Sequence, residues 1–166
     1  MIVEAYDSLG DAAESALAAA ARRKPAARWV AVARSIREWA VAHPHEYALL
    51  YGTPVPGYAA PVDTVAPGTR VSLALVQVVV DAHADGLVRP VDTAMSRSSE
   101  RDMKAGLAQI GADLPAPTMF RTILAWTQLF GLLSFELFSQ TRGLVSDHAA
   151  TFDDATRTMA DAIGLP

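Results

Sequence analysis

Pro117-Thr-Met-Phe-Arg-Thr-Ile-Leu-Ala-Trp-Thr-Gln-Leu-Phe-Gly-Leu-Leu-Ser-Phe-Glu-Leu-Phe-Ser-Gln-Thr-Arg142 carries apolar side chains on two faces of one helix. Ile123, Trp126, Phe130, Leu133 and Leu137 recur at steps of three and four residues and make the first face. Phe120, Leu124, Thr127, Gly131, Phe135 and Phe138 make the second. One such face can serve the chain's own core. The second needs a partner, and Gly131 lets a facing helix approach closely. The apolar run from Ile123 to Phe138 is shorter than a bilayer span and contains Gln128 and Glu136. It predicts a buried helix rather than a transmembrane one.

Downstream, residues 148–163 place Phe152, Ala155, Met159 and Ile163 on one stripe. Two terminal helices with surplus apolar surface predict a four-helix interface between two copies of the chain, related by a two-fold axis. Its expected members are Phe120, Leu124, Thr127, Gly131, Phe135, Phe138, Phe152 and Met159. Upstream, Leu114-Pro-Ala-Pro117 separates the long helix from a more polar one over 92–111, with Met95, Met103, Leu107 and Ile110 on its apolar side. Residues 68–86 contain Val78-Val79-Val80, which β-propensity alone would make a strand. The apolar stretch is longer than most strands and Gly86 suits a C-terminal cap, so a central helix is the better reading.

The segment Gly52-Thr-Pro-Val-Pro-Gly-Tyr-Ala-Ala-Pro-Val-Asp63 is too rich in Pro and Gly for a regular element and is expected to fold onto the body, anchored by Tyr58. Before it, His45 to Tyr51 predicts a short helix that Pro44 starts. Pro25 opens a helix with a clean stripe of Trp29, Val32, Ile36, Trp39 and His43, and with Arg34, Arg37 and Glu38 turned away. Residues 2–23 are rich in alanine and put Val3, Tyr6, Leu9, Ala13, Leu17 and Ala20 on one face. The expected architecture is all-α: one domain over residues 1–166, a bundle of about six to seven helices, without internal repeats.

Hydrophobic residues make up 51% of the 166 and charged ones 19%, an apolar balance for so small a domain. Part of the surplus is therefore expected in an interface or a cavity. The net charge of -4 comes with no basic stripe, which argues against direct contact with nucleic acid. The one basic run, Arg22-Arg23-Lys24, ends a helix, where cations meet a favourable dipole. The lack of cysteine excludes disulfides, thiolate metal sites and a Cys nucleophile, and fits a cytoplasmic protein. Glu4 and the absence of a basic-then-apolar opening argue against a signal peptide.

No Gly-rich phosphate loop and no Gly-x-Ser-x-Gly elbow is present, and Ser134 has no base near it in sequence. No two of the four histidines have the three- or four-residue spacing of a helical zinc pair, so neither a metal nor a cofactor is expected. Trp39, Tyr47, Tyr51, Trp126 and Phe130 converge if the second helix and the long helix both face the centre. Core packing explains that set as well as a ligand cavity does. The polar tips of His43, Tyr47 and Tyr51 favour a cavity, since in a dry core each would need its own partner. With Val79 and His83 of the central helix they form the expected ligand-binding set, for a small hydrophobic or amphipathic molecule.

The segment from Trp39 through His43-Pro-His-Glu-Tyr47 to Pro61 resembles the C-terminal regulatory domain of TetR/AcrR-family transcriptional repressors. The long helix is similar to the branch with a Trp-x-x-x-His-Gly signature, read here as Trp126-Thr-Gln-Leu-Phe-Gly131, with Phe130 in the usual His position. The resemblance covers essentially the whole chain. It implies a domain that dimerises through its last two helices, holds an inducer inside, and transmits binding through its first helix. DNA binding is then expected only through an N-terminal helix-turn-helix that this sequence does not include. It implies a regulator and not an enzyme. Two alternatives remain: a dimerisation module with a filled interior, and a small helical enzyme using His43, His83 or Glu136.

Overall fold

Seven helices and no strand occur among the described residues, 1–52 and 64–166 of the computed structural model. They are α1 (Ile2–Ala19), α2 (Pro25–Ala42), α3 (Pro44–Tyr51), α4 (Val65–Ala84), α5 (Arg97–Ile110), α6 (Ala116–Leu137) and α7 (His148–Ile163). The all-α expectation holds. The Pro/Gly-rich residues 53–63, and with them the expected Tyr58 anchor, lie outside the described residues.

Local chemistry sets the ends. Proline occupies the first turn of α2, α3 and α6, where its missing N–H costs nothing. Asp147 caps α7 by accepting from the Ala150 N–H at 2.9 Å, and Gly164 ends it in the left-handed conformation. α1 stops at Ala19, short of the expected Arg23, because Ala21 and Arg23 donate to carbonyls three residues back and tighten the chain into turns. α4 begins at Val65, earlier than expected, with Pro67 in its first turn. α5 waits for Ser96, whose hydroxyl accepts from the Ser99 N–H at 3.1 Å. α6 ends at Leu137 and not near Arg142, since Ser139 turns to a φ of 59°.

The irregular residues before α5 are strapped to the body. The Arg89 N–H donates to the Gly164 carbonyl at 2.8 Å. A Cβ on Gly164 would lie 2.5 Å from the Arg89 carbonyl oxygen, so this approach requires glycine. Arg121, buried in α6, donates to the carbonyls of Val91 (3.0 Å) and Ile163 (3.1 Å) and to the Thr93 hydroxyl (2.6 Å). Burial without a carboxylate among these partners holds its pKa below the ordinary arginine value.

The core runs through Leu9 of α1, Trp29, Val32 and Ile36 of α2, Leu75, Val78 and Val79 of α4, Leu129 and Leu133 of α6, and Ile163 of α7. Among the described residues, α4 alone is long and apolar enough to cross a bilayer. It lies instead against α1, α2 and α6 with its Val71–Val79 face inward. Arg34 is exposed as expected, whereas Arg37 is half-buried, and the expectation that it faces away from the body is corrected. Arg28, Arg34 and Arg37 of α2 bind Asp81 of α4, Asp153 of α7 and Glu136 of α6 in turn, tying one helix to three others.

Candidate functional site

An apolar cleft of about 360 Å³ opens where the first half of α4, the end of α5 and the first half of α6 diverge. Thr69, Ser72, Leu73 and Val76 face it from α4 and Met119, Thr122, Ile123 and Trp126 from α6, each series at helical spacing. Gln109 and Ile110 close it from α5, which packs chiefly on α6. The volume lies within the range of small-molecule sites. No lining side chain among the described residues is ionisable.

The polar groups of the wall are largely committed to their own helices. Thr69, Ser72 and Thr122 donate their hydroxyls to the carbonyls of Ala66, Thr69 and Thr118 at 2.8–2.9 Å. Their oxygens keep accepting capacity. The indole Nε1 of Trp126 is buried and has no hydrogen-bond partner.

The sequence-predicted aromatic set converges beside this cleft rather than around it. Tyr47 lies 5.2 Å from Tyr51, Tyr51 lies 4.5 Å from Phe130, and Phe130 lies 6.2 Å from Trp126, measured between ring centroids. Tyr6 of α1 meets Tyr51 edge-on. The Tyr47 hydroxyl donates to the Phe130 carbonyl at 3.2 Å and shares a 3.0 Å bond with Ser134, which satisfies it inside a packed core. Burial pushes the pKa of both Tyr47 and Tyr51 above the ordinary phenol value, so both are neutral hydroxyls. His43 stacks on Trp39 and bonds to the Trp39 carbonyl at 2.9 Å, while the Trp39 indole donates to Ser8 at 2.9 Å.

Of the predicted ligand set, only Trp126 stands on the cleft wall. Val79 is fully buried in the core. His83 sits about 10 Å further along α4 than Val76, at 1.5 Å per residue. Thr69, Ser72, Gln109, Met119 and Thr122 are not among the expected site residues, although Met119 and Thr122 extend the face of Ile123 and Trp126 by the i, i+3, i+4, i+7 pattern. Of the enzyme candidates, His43 is engaged by Trp39 and Glu136 is held by both Arg37 Nε and Nη2. No three His, Asp or Glu side chains come together as a metal site among the described residues.

A second feature lies on α6 and α7. Leu124, Phe135 and Phe138 are 47%, 55% and 43% exposed, and Thr127 and Gly131 are exposed beside them. Phe120 is half-buried at the start of the same face. Gly131, Leu132, Phe135, Ala155, Thr158 and Met159 line a groove of about 440 Å³ between the two helices. A Cβ on Gly131 would meet nothing within 4 Å, so nothing in the chain itself demands glycine there. Phe152 and Met159, expected at the interface, are only 3% and 5% exposed. The apolar stripe of α7 divides: Phe152 and Ile163 lie in the chain's own core, where Arg37 lies 5.8 Å over the Phe152 ring, while Ala155 and Met159 also border the groove.

A further contact joins the cleft helix to α1. Arg70 of α4 binds Asp7, Asp11 and Glu14 of α1. Gly10 makes room for it, since a Cβ there would lie 2.9 Å from the guanidinium carbon. The Arg70 hydrogen bond holds the Glu14 carboxyl below its ordinary pKa. The clamp is therefore complete above the usual carboxylate range and loosens as pH falls through the lowered value.

An all-helical bundle with a ligand-sized apolar cleft and an uncovered helix-pair face has the build of a regulatory domain. Residues 29–159 match the family model of the tetracyclin repressor-like C-terminal domain. The HTH-type transcriptional regulators Rv1816 of Mycobacterium tuberculosis and Mb1846 of Mycobacterium bovis are each 31% identical over 161 residues, 96% of this chain and 69% of the relative. The crystal structure of SCO4313, described as a regulatory protein, superposes with a TM-score of 0.71 at 28% identity, covering 96% of this chain and 70% of that one. The chain belongs to the tetracycline-repressor (TetR) family of transcriptional regulators and contains its C-terminal domain.

Proposed function

We propose that this chain is the homodimerising, small-molecule-sensing domain of a TetR-family transcriptional regulator. The observation that carries the reading is the apolar cleft between α4, α5 and α6, in a domain matched to that family. The apolar face of α6 supports pairing with a second copy, α6 and α7 of each chain forming a four-helix interface. Operator binding belongs to a helix-turn-helix segment joined to α1, as the names of the relatives suggest.

The mechanism is a shift between two arrangements of α1. A ligand favours the arrangement to which it binds more tightly, and it moves the equilibrium only by that difference in affinity. α4 both lines the cleft and grips α1 through Arg70, so displacement of α4 by a ligand is passed to α1. The aromatic series Trp126, Phe130, Tyr51, Tyr6 gives a second contiguous route from cleft to α1. A shift of α1 in each protomer changes the spacing of two DNA-reading heads and so their fit to successive major-groove half-sites.

Filling the cleft tests the reading. Ser72→Phe places a ring in the cleft from a half-buried position. Compounds that raise the melting temperature of the wild-type chain are expected to lose that effect on Ser72→Phe. A compound that stabilises both proteins equally binds elsewhere. Should every stabilising compound behave so, the packed-core alternative, a structural dimerisation module, takes the place of the sensor.

A further inference from the structure

We propose that the cleft takes an uncharged, mainly apolar molecule carrying one hydrogen-bond-accepting oxygen, and that Trp126 Nε1 is the donor that meets this oxygen. The inference rests on the cleft being the ligand site. It adds the chemical class of the ligand and the residue that reads it.

Among the described residues no ionisable side chain stands on the wall, and this decides the charge. A carboxylate or an ammonium entering the cleft would give up its hydration and find no counter-charge among Thr69, Ser72, Gln109 and Thr122. An uncharged apolar body loses nothing comparable and gains contact with Leu73, Val76, Met119 and Ile123.

The hydrogen-bond inventory decides the polar feature. The three hydroxyls of the wall already donate to carbonyls of their own helices, so none has a proton to offer. Gln109 has amide protons but is exposed to water, whereas Trp126 Nε1 is shut off from water and has no partner, a costly state for an indole N–H. The fold satisfies the equivalent group of Trp39 through Ser8. Trp29 shares the deficit, but its ring is fully buried in the core and lines neither the cleft nor the α6–α7 groove. The Trp126 ring is itself part of the cleft wall, so a ligand oxygen reaches Nε1 through a small swing of the indole rather than through the core. That swing acts directly on Phe130, the next ring in the series towards α1.

Four probes of one shape separate these terms: benzophenone with its carbonyl, diphenylmethane without an acceptor, diphenylacetate as an anion and diphenylmethylammonium as a cation. Binding to the full chain is followed by NMR of the three indole N–H resonances and by calorimetry. Benzophenone is expected to bind about tenfold more tightly than diphenylmethane and to move the Trp126 indole resonance most, with both ions weaker still. Trp126→Phe keeps an aromatic ring and should bring the ratio of benzophenone to diphenylmethane affinity close to one. Equal affinity of the two neutral probes for the wild type overturns the donor role while leaving the cleft as a site. Tightest binding of either ion overturns the uncharged class. Failure of all four to shift cleft resonances overturns both this inference and the cleft reading. Where Trp126→Phe does not fold, the wild-type ratio and indole shift decide alone.

Discussion

Glu136→Ala is expected to destabilise the chain by about 3–5 kcal/mol, because it strands a cation between helices. The side chains of Arg37 and Glu136 are only 16% and 14% exposed. Both carboxylate oxygens are occupied, Nε donating to Oε2 at 2.9 Å and Nη2 to Oε1 at 2.5 Å. The pair joins α2 to α6 and lies over Phe152 of α7, so three helices meet at one charge. With the carboxylate gone, the guanidinium keeps its desolvation cost and loses its compensation. Replacing both partners, Arg37→Met with Glu136→Leu, should recover most of the loss, since a buried pair contributes little beyond its apolar equivalent. Urea unfolding followed by circular dichroism checks both variants. A loss under 1 kcal/mol for Glu136→Ala would mean that water reaches Arg37 freely.

Phe135→Glu should weaken self-association at least about 100-fold while leaving the fold intact. Phe135 is the most exposed large apolar residue of α6 and lines the α6–α7 groove. In a two-fold interface each substitution occurs twice, and two carboxylates would be buried near the axis without partners. Within one chain the side chain already faces outward, so folding loses little. Sedimentation velocity over a concentration series measures the effect, and association that survives unchanged in Phe135→Glu removes this face from the interface.

The elements were more legible in the sequence than their neighbours. α7 follows its expected bounds because its Asp147 cap and Gly164 stop are written locally. The outward face of α6 was legible from periodicity alone, which separates Leu124 and Phe135 from Leu129 and Leu133. Periodicity reports that a face is apolar, but not what covers it. Phe152 and Met159 share one stripe of α7, yet Phe152 packs inside the chain while Met159 also borders the α6–α7 groove. Arg37 read as solvent-facing because its acid lies 99 residues away on another helix. The same limit hid the cleft. Tyr47 is satisfied by a backbone carbonyl 83 residues distant, and Thr69, Ser72 and Gln109 look like ordinary polar positions until α4, α5 and α6 are seen to splay.

Native mass spectrometry of the chain equilibrated with benzophenone puts the paired sensor to its most direct test. Two copies of a 17.6 kDa chain that take up one benzophenone each, with uptake lost in Ser72→Phe, is the expected result. A species of 17.6 kDa alone, or a dimer whose uptake Ser72→Phe leaves unchanged, contradicts it.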